Sequence, residues 1–404
     1  MIVPARAQAA RLDDETHGRP ERPRMALLAY GFRPFFLLAA LYAVLAIPLW
    51  AALVGGFAEP GRIAPLAWHA HEMIYGFVAA AAAGFMLTAV PSWTGRRGFA
   101  GMPLLTLVAI WLAGRIAFLA PLDTLLVALL DIAFLPALAL AILPSLMRSG
   151  NRRNFVFVAL LGLLIIANLR FHLDGAASIE PLALALNTIL LMVALVGGRI
   201  VPAFTSARLE QLGVDVRIPD HAIIDRAALA ATLAVLVVDV VSPGGAAAGA
   251  TAAVAAALLA LRLARWQGHR TLGEPILWVL HVAYAWLPVA LALKAAWLIG
   301  GYTFAAAWMH ALTIGAFSTM ILAVMTRASL GHTGRALIAP RAATVAYVLL
   351  TAAALARVFG AVLVPAGGFA WTAAASTLWT IAFALFLIVY APILCRPRAD
   401  GKPG

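Results

Sequence analysis

A chain of 404 residues that is 64% hydrophobic and 11% charged is not an ordinary soluble domain, where about 25% of residues carry charge. Its net charge of +12 comes mostly from arginines set between apolar runs, so the basic character reads as topology and gives no reason to invoke nucleic acid. The single Cys395 excludes a disulfide framework.

Residues 1–27 are polar and Arg-rich, contain Pro4, Pro20 and Pro23, and lack the apolar stretch of a signal peptide. They read as a disordered cytoplasmic tail. Beyond them the chain is a series of apolar runs, each near the length of about 20 residues that crosses a bilayer core. The runs fall near 28–54, 68–91, 103–120, 122–147, 154–173, 181–203, 222–242, 244–264, 275–299, 303–326, 341–364 and 370–394. The fold class expected is therefore all-α, a polytopic bundle of about twelve transmembrane helices in the lipid bilayer. Residues 28–395 form one membrane domain, because the longest loop, near 204–221, is too short to separate two. Residues 396–404 form a second tail. Nothing in the pattern indicates an oligomeric state.

Arginine placement orients the bundle. With twelve spans, one side receives Arg24, Arg96, Arg97, Arg148, Arg152, Arg153, Arg208, Arg262, Arg265, Arg335, Arg341 and Arg396, whereas the opposite loops carry little besides Arg62. Positive loops stay cytoplasmic, which places both termini inside.

A weak repeat runs through the spans. At an offset of 239 residues, His71, Gly76, Met86 and Thr94 to Arg96 match His310, Gly315, Met325 and Thr333 to Arg335; at an offset of 111, Val90, Pro91 and Thr94 match Val201, Pro202 and Thr205. The offsets correspond to eight and four helices. They describe three four-helix units with the second, sixth and tenth helices in equivalent places, a form of internal repetition common in membrane folds.

Topology converts position into depth. His69 and His71 lie at the outer end of the second helix, His172 at the outer end of the fifth, and His310 in the outer third of the tenth. Ionisable residues inside a membrane mark function by default, and imidazole suits copper and haem iron. These four histidines are the candidate metal ligands, with His71 and His310, equivalent in the repeat, expected to ligate one centre and His69 and His172 next in line. His69 and His71 point about 200° apart on a helix, so both face one metal only if the helix start is irregular. Glu72 is placed to orient an imidazole. His281 stands apart, nearer the inner side, as a ligand for a second cofactor, a relay partner of Tyr284 or a packed core residue. His17, His221 and His269 read as solvated.

Arg115, Arg170, Lys294 and Arg357 lie in outer halves of their helices, against the positive-inside preference. Each needs an anionic partner, and haem propionates suit Arg115, Arg170 and Arg357 because guanidinium pairs bidentately with carboxylate. Asp131 is a further buried acid placed to pair with an arginine. No CxxCH motif is present, so any haem is held non-covalently.

Several segments resemble the NnrS family of bacterial membrane proteins: Gly31 to Phe36, Trp68 to Met73, Gly84 to Gly95, Gly197 to Thr205, His310, and Arg327 to Arg335. The resemblance implies a twelve-helix protein that contains haem and copper and is linked to nitric oxide and nitrosative stress. It assigns no histidine to either cofactor and no reaction. Two other classes compete with a nitric-oxide-handling metalloprotein: a transporter or channel with histidines along a substrate path, and a non-enzymatic sensor or assembly factor.

Overall fold

The computed structural model describes residues 26–402 apart from 57–62, 97, 175–179, 215–217, 219–220 and 365–366. The proposed tail before residue 26, and both Arg62 and Arg97, lie outside the described residues. Ten helices are long and apolar enough to cross a membrane: α1 (Phe32–Val54), α2 (Pro65–Thr94), α4 (Thr124–Ser149), α5 (Arg152–Leu173), α6 (Glu180–Gln211), α8 (Ala246–Ala264), α9 (Pro275–Gly300), α10 (Thr303–His332), α11 (Arg341–Leu363) and α12 (Gly368–Cys395). Two more complete the expected twelve. The shorter α3 (Gly101–Ala117) has 17 residues, and α7 (Ala222–Val241) carries Asp225, Arg226 and Asp239. No strand occurs among the described residues.

Local chemistry sets the boundaries. Pro65 starts α2 at a position where its missing N–H costs nothing. The side chain of Asp123 accepts the backbone N–H of Leu126 at 2.9 Å and caps α4. Inside α4 the regular helix breaks at Ala133, because the ring of Pro136 disrupts the turn above it. The expected loop at 204–221 is shorter than the sequence implied, since α6 continues to Gln211. Its polar last turns leave the apolar region and are tied to the start of α9 by the Arg208–Glu274 ion pair.

Helices α2, α6 and α10 meet in the middle. Tyr75, Met192 and Met320, one from each, line a small apolar cavity of about 100 Å³. Both α2 and α10 contain a π-helical segment, Glu72–Val78 and Ala311–Ser318, and each begins directly after a histidine. The segments are related by the same 239-residue offset read from the sequence. Sustained π-helix is rare and clusters at functional sites.

The two ends of the chain meet as well. Arg33, near the start of α1, donates to the carbonyls of Leu394 and Arg396 at 2.8 and 2.7 Å. Trp379 of α12 donates to the carbonyl of Ala43 at 3.1 Å. Ala399 donates to Thr333 at the end of α10. The first and last helices thus lie side by side, with the described starts and ends of the chain at one end of the bundle, which carries most of the loop arginines.

Candidate functional site

At the opposite end, α2 presents two histidines to different neighbours. His69 turns toward α1, where its ring stacks on Trp50 with centroids 4.4 Å apart. His71 turns toward α3, α4 and α5, and its ring lies 4.5–4.7 Å from those of Tyr75, Phe118 and Phe171. The opposed directions follow from the two-residue spacing.

A dense polar network surrounds His71. Its Nδ1 lies 3.0 Å from Glu72 Oε1, and its Nε2 lies 3.0 Å from Asn168 Oδ1 and 3.2 Å from Asp131 Oδ2. Asn168 Nδ2 donates to Asp131 Oδ2 at 2.8 Å, and His172 Nε2 is 2.9 Å from the same oxygen. Arg115 bridges the two acids, donating to Glu72 Oε1 and to Asp131 Oδ1. The Tyr42 hydroxyl donates to Glu72 Oε2. His71, Glu72, Arg115, Asp131 and Asn168 are all buried. Five helices, α1 to α5, contribute to this network.

Two features of the network call for one more proton, on Glu72 or His71, or for a metal ion. The two carboxylates face one guanidinium, so one negative charge is left over in a buried site, where an unbalanced charge is costly. In addition, both ring nitrogens of His71 face oxygen atoms, while a neutral imidazole carries one N–H. A second proton or a metal ion resolves both. One ligand atom from each of His71, Asp131 and His172 lies within 4.8 Å of the others. Two imidazoles and a carboxylate form a donor set that suits a divalent transition metal. The residues therefore fit a metal ion.

The other outer residues divide between separate places. His310 lies within electrostatic reach of His69 and Arg357, and Arg357 also acts on His69. The structure thus groups His71 with His172 and His69 with His310. His69 Nδ1 is buried without a hydrogen-bond partner. Neither His310 nor Arg357 makes a side-chain hydrogen bond or ion pair among the described residues. Among the described residues, imidazoles at His69 and His310 without hydrogen-bond partners, near a guanidinium without a carboxylate, are donor types that haem iron and a propionate would take.

The other basic residues have protein partners. Arg115 has Glu72 and Asp131; half-exposed Arg170 has Asp174 one turn on; Lys294 has Asp239, which also accepts from Asn187 at 2.7 Å. Their anions therefore come from the chain itself. Glu72 does serve an imidazole, but that of His71 rather than that of His69, which is three residues back. His281 is removed from both groups: its Nε2 lies 2.9 Å from Thr205 Oγ1, not beside the Tyr284 hydroxyl, which accepts from Arg262. Tyr42 and the Asn187–Asp239 pair had no signal in the sequence, because only packing of distant helices brings them to their partners.

A family model described as NnrS protein matches residues 26–398, nearly the whole chain. The chain therefore belongs to the NnrS family. No curated protein matches it.

Proposed function

We propose that this NnrS-family chain is a membrane protein of the nitric oxide response, with a transition-metal centre at the histidine end of its bundle. The observation that carries the reading is the convergence of His71, Asp131 and His172 in a buried network that is one positive charge short. In this reading His71 and His172 supply nitrogen ligands and Asp131 an oxygen ligand, while Arg115 and Asn168 hold the carboxylate in place. Glu72 orients the His71 ring through Nδ1, a partner that metal-bound imidazoles normally have. Copper suits such a site by its preference for imidazole. A metal held by these residues would supply Lewis-acid and redox chemistry toward a small ligand such as nitric oxide.

His69, His310 and Arg357 form the second half of the proposal, a place for haem beside the metal network. Arg115 keeps two carboxylates in register, and the rings of Phe118, Phe171 and Tyr75 exclude water from His71. The protein sits in the bacterial inner membrane, with the arginine-rich end in the cytoplasm and the histidine end outside.

Metal analysis and optical spectra of the purified, monodisperse protein test this. Alanine at His71 or His172 is expected to remove copper and keep the haem band; alanine at His69 or His310 is expected to do the reverse. Folded variants that all retain both groups would overturn the assignment. Wild-type protein with neither metal nor a haem band, after expression with both supplied, would favour the transporter reading.

A further inference from the structure

A cavity of about 690 Å³ lies at the arginine-rich end, bounded by α2, α5, α6, α7 and α8. It lies at the other end of the bundle from His69, His71, His172 and His310 and has no part in the reading above, although its wall residue Trp266 touches His281. Arg153 and Arg199 both line it and lie close enough to repel each other. Arg199 donates to Asn154 Oδ1 at 2.9 Å and lies over the Phe157 ring, and Arg153 makes no side-chain bond among the described residues. Neither has a carboxylate partner among the described residues. Among the described residues the one acid on the wall, Asp225, is held by Arg262, whose other donors go to the carbonyls of Ala194 and Gly198 and to Tyr284. That pair is internally balanced, so the described lining presents two guanidinium groups with no carboxylate on them.

Its remaining walls are mostly apolar and aromatic, with Asn154 and Ser206 among them. Trp93 and Trp266, from the ends of α2 and beyond α8, lie on the lining together with Phe157. Tryptophan at the end of a span marks the depth of the lipid headgroups. The volume is within the range of about 300–1,000 Å³ typical of small-molecule sites and far larger than one phosphate needs. Two guanidiniums above an apolar wall, at headgroup depth, match an anionic head on an apolar body. Basic pockets between transmembrane helices take acidic lipid headgroups by this chemistry.

We propose that this cavity is a binding site for one acidic glycerophospholipid, with its phosphodiester on Arg153 and Arg199 and its chains toward the aromatic wall. Guanidinium is the side chain best shaped for bidentate phosphate contact. Occupancy would remove the repulsion between the two arginines and join the α2–α5 half of the cavity to the α6–α8 half. A free phosphate uses the same arginines but leaves the apolar wall unfilled, and this separates the two sources.

The test is native mass spectrometry of the full-length protein, offered phosphatidylglycerol or phosphatidylcholine of identical chains in detergent. One phosphatidylglycerol is expected to remain bound at energies that strip phosphatidylcholine. Removing either arginine should lower that retention by about fivefold. Arg199→Gln is the direct variant. Arg153→Glu, at an exposed position with no bond to lose, serves if Arg199→Gln folds poorly. Equal retention of the two lipids, or unchanged retention in Arg153→Glu, would overturn the proposal. So would displacement of phosphatidylglycerol by millimolar inorganic phosphate, which would show a site for a soluble anion.

Discussion

His71 and His310 hold the same position in two related helices: each is the last residue before a π-helical segment. The correspondence extends five residues further. Gly76 sits against Tyr42 of α1, and Gly315 sits against Trp286 of α9. A π turn adds a residue to the helix and shifts the faces beyond it, so each histidine is set off from the helix that follows. The parallel stops at the partners. His71 is enclosed by carboxylates, whereas His310 faces a histidine and an arginine, so one scaffold position has been given two chemistries.

The glycines within the π segments are expected to be intolerant of side chains. A Cβ at Gly76 would lie 2.3 Å from a Tyr42 ring carbon, and one at Gly315 would lie 2.4 Å from a Trp286 ring carbon. Gly76→Val and Gly315→Val should each cost about 1–3 kcal/mol or more through overpacking. Thermal unfolding followed by size-exclusion chromatography reads the loss; wild-type melting in both variants would show that α1 and α9 yield freely.

Arg115 and Arg170 should behave oppositely although both lie near helix ends at the same side. Arg115→Met strands two buried carboxylates and should destabilise by about 3–5 kcal/mol. Arg170→Met removes a surface pair with Asp174 and should change stability by about 1 kcal/mol or less. A small effect at Arg115 would mean that the acids find other partners, and the charge count behind the metal site would fail.

A truncated ligand position should be open to chemical repair. In His310→Gly, imidazole added to the purified protein is expected to restore haem absorbance, because the gap left matches the lost ring and the neighbouring His69 and Arg357 remain. The same treatment of His281→Gly should do nothing to the spectrum. Recovery in the second variant alone would move the haem to the other end of the bundle.

Topology can be read directly. Reporters fused after Arg96 and after Asp174 are expected on opposite sides of the membrane, because an odd number of spans, α3 to α5, separates them. Signal from the same side at both positions would break the pairing of the histidine end with the outer face.

Hydropathy sufficed for the helices because a bilayer leaves few alternatives: an apolar run of the right length must satisfy its own backbone. It faltered at Thr205–Gln211, where a helix leaves the lipid and continues in polar residues; α7 was legible at 222–242 despite Asp225 and Asp239. Depth followed from the alternation of arginine-rich loops, so the gathering of His69, His71, His172 and His310 at the end opposite those loops could be read before any coordinates. Their division into two pairs could not. It depends on which way α2 faces at each residue and on Asp131 and Asn168 arriving from α4 and α5, and neither is encoded within one segment. Anions for Arg115 were expected from a cofactor. The chain supplies them through Glu72 and Asp131, because a buried guanidinium beside two acids needs no outside partner.

The bond from Arg33 to the carbonyls of Leu394 and Arg396 has a consequence for biogenesis. Its two halves are 361 and 363 residues apart. When α1 first enters the membrane, the helix that will cover its flank has not been synthesised, and Phe32, Phe35 and Ala43, fully buried in the finished bundle, face lipid or the insertion machinery. Closure waits for the final span. A nascent chain that stops before α12 would keep an open seam along α1, a surface by which membrane quality control can recognise an unfinished copy.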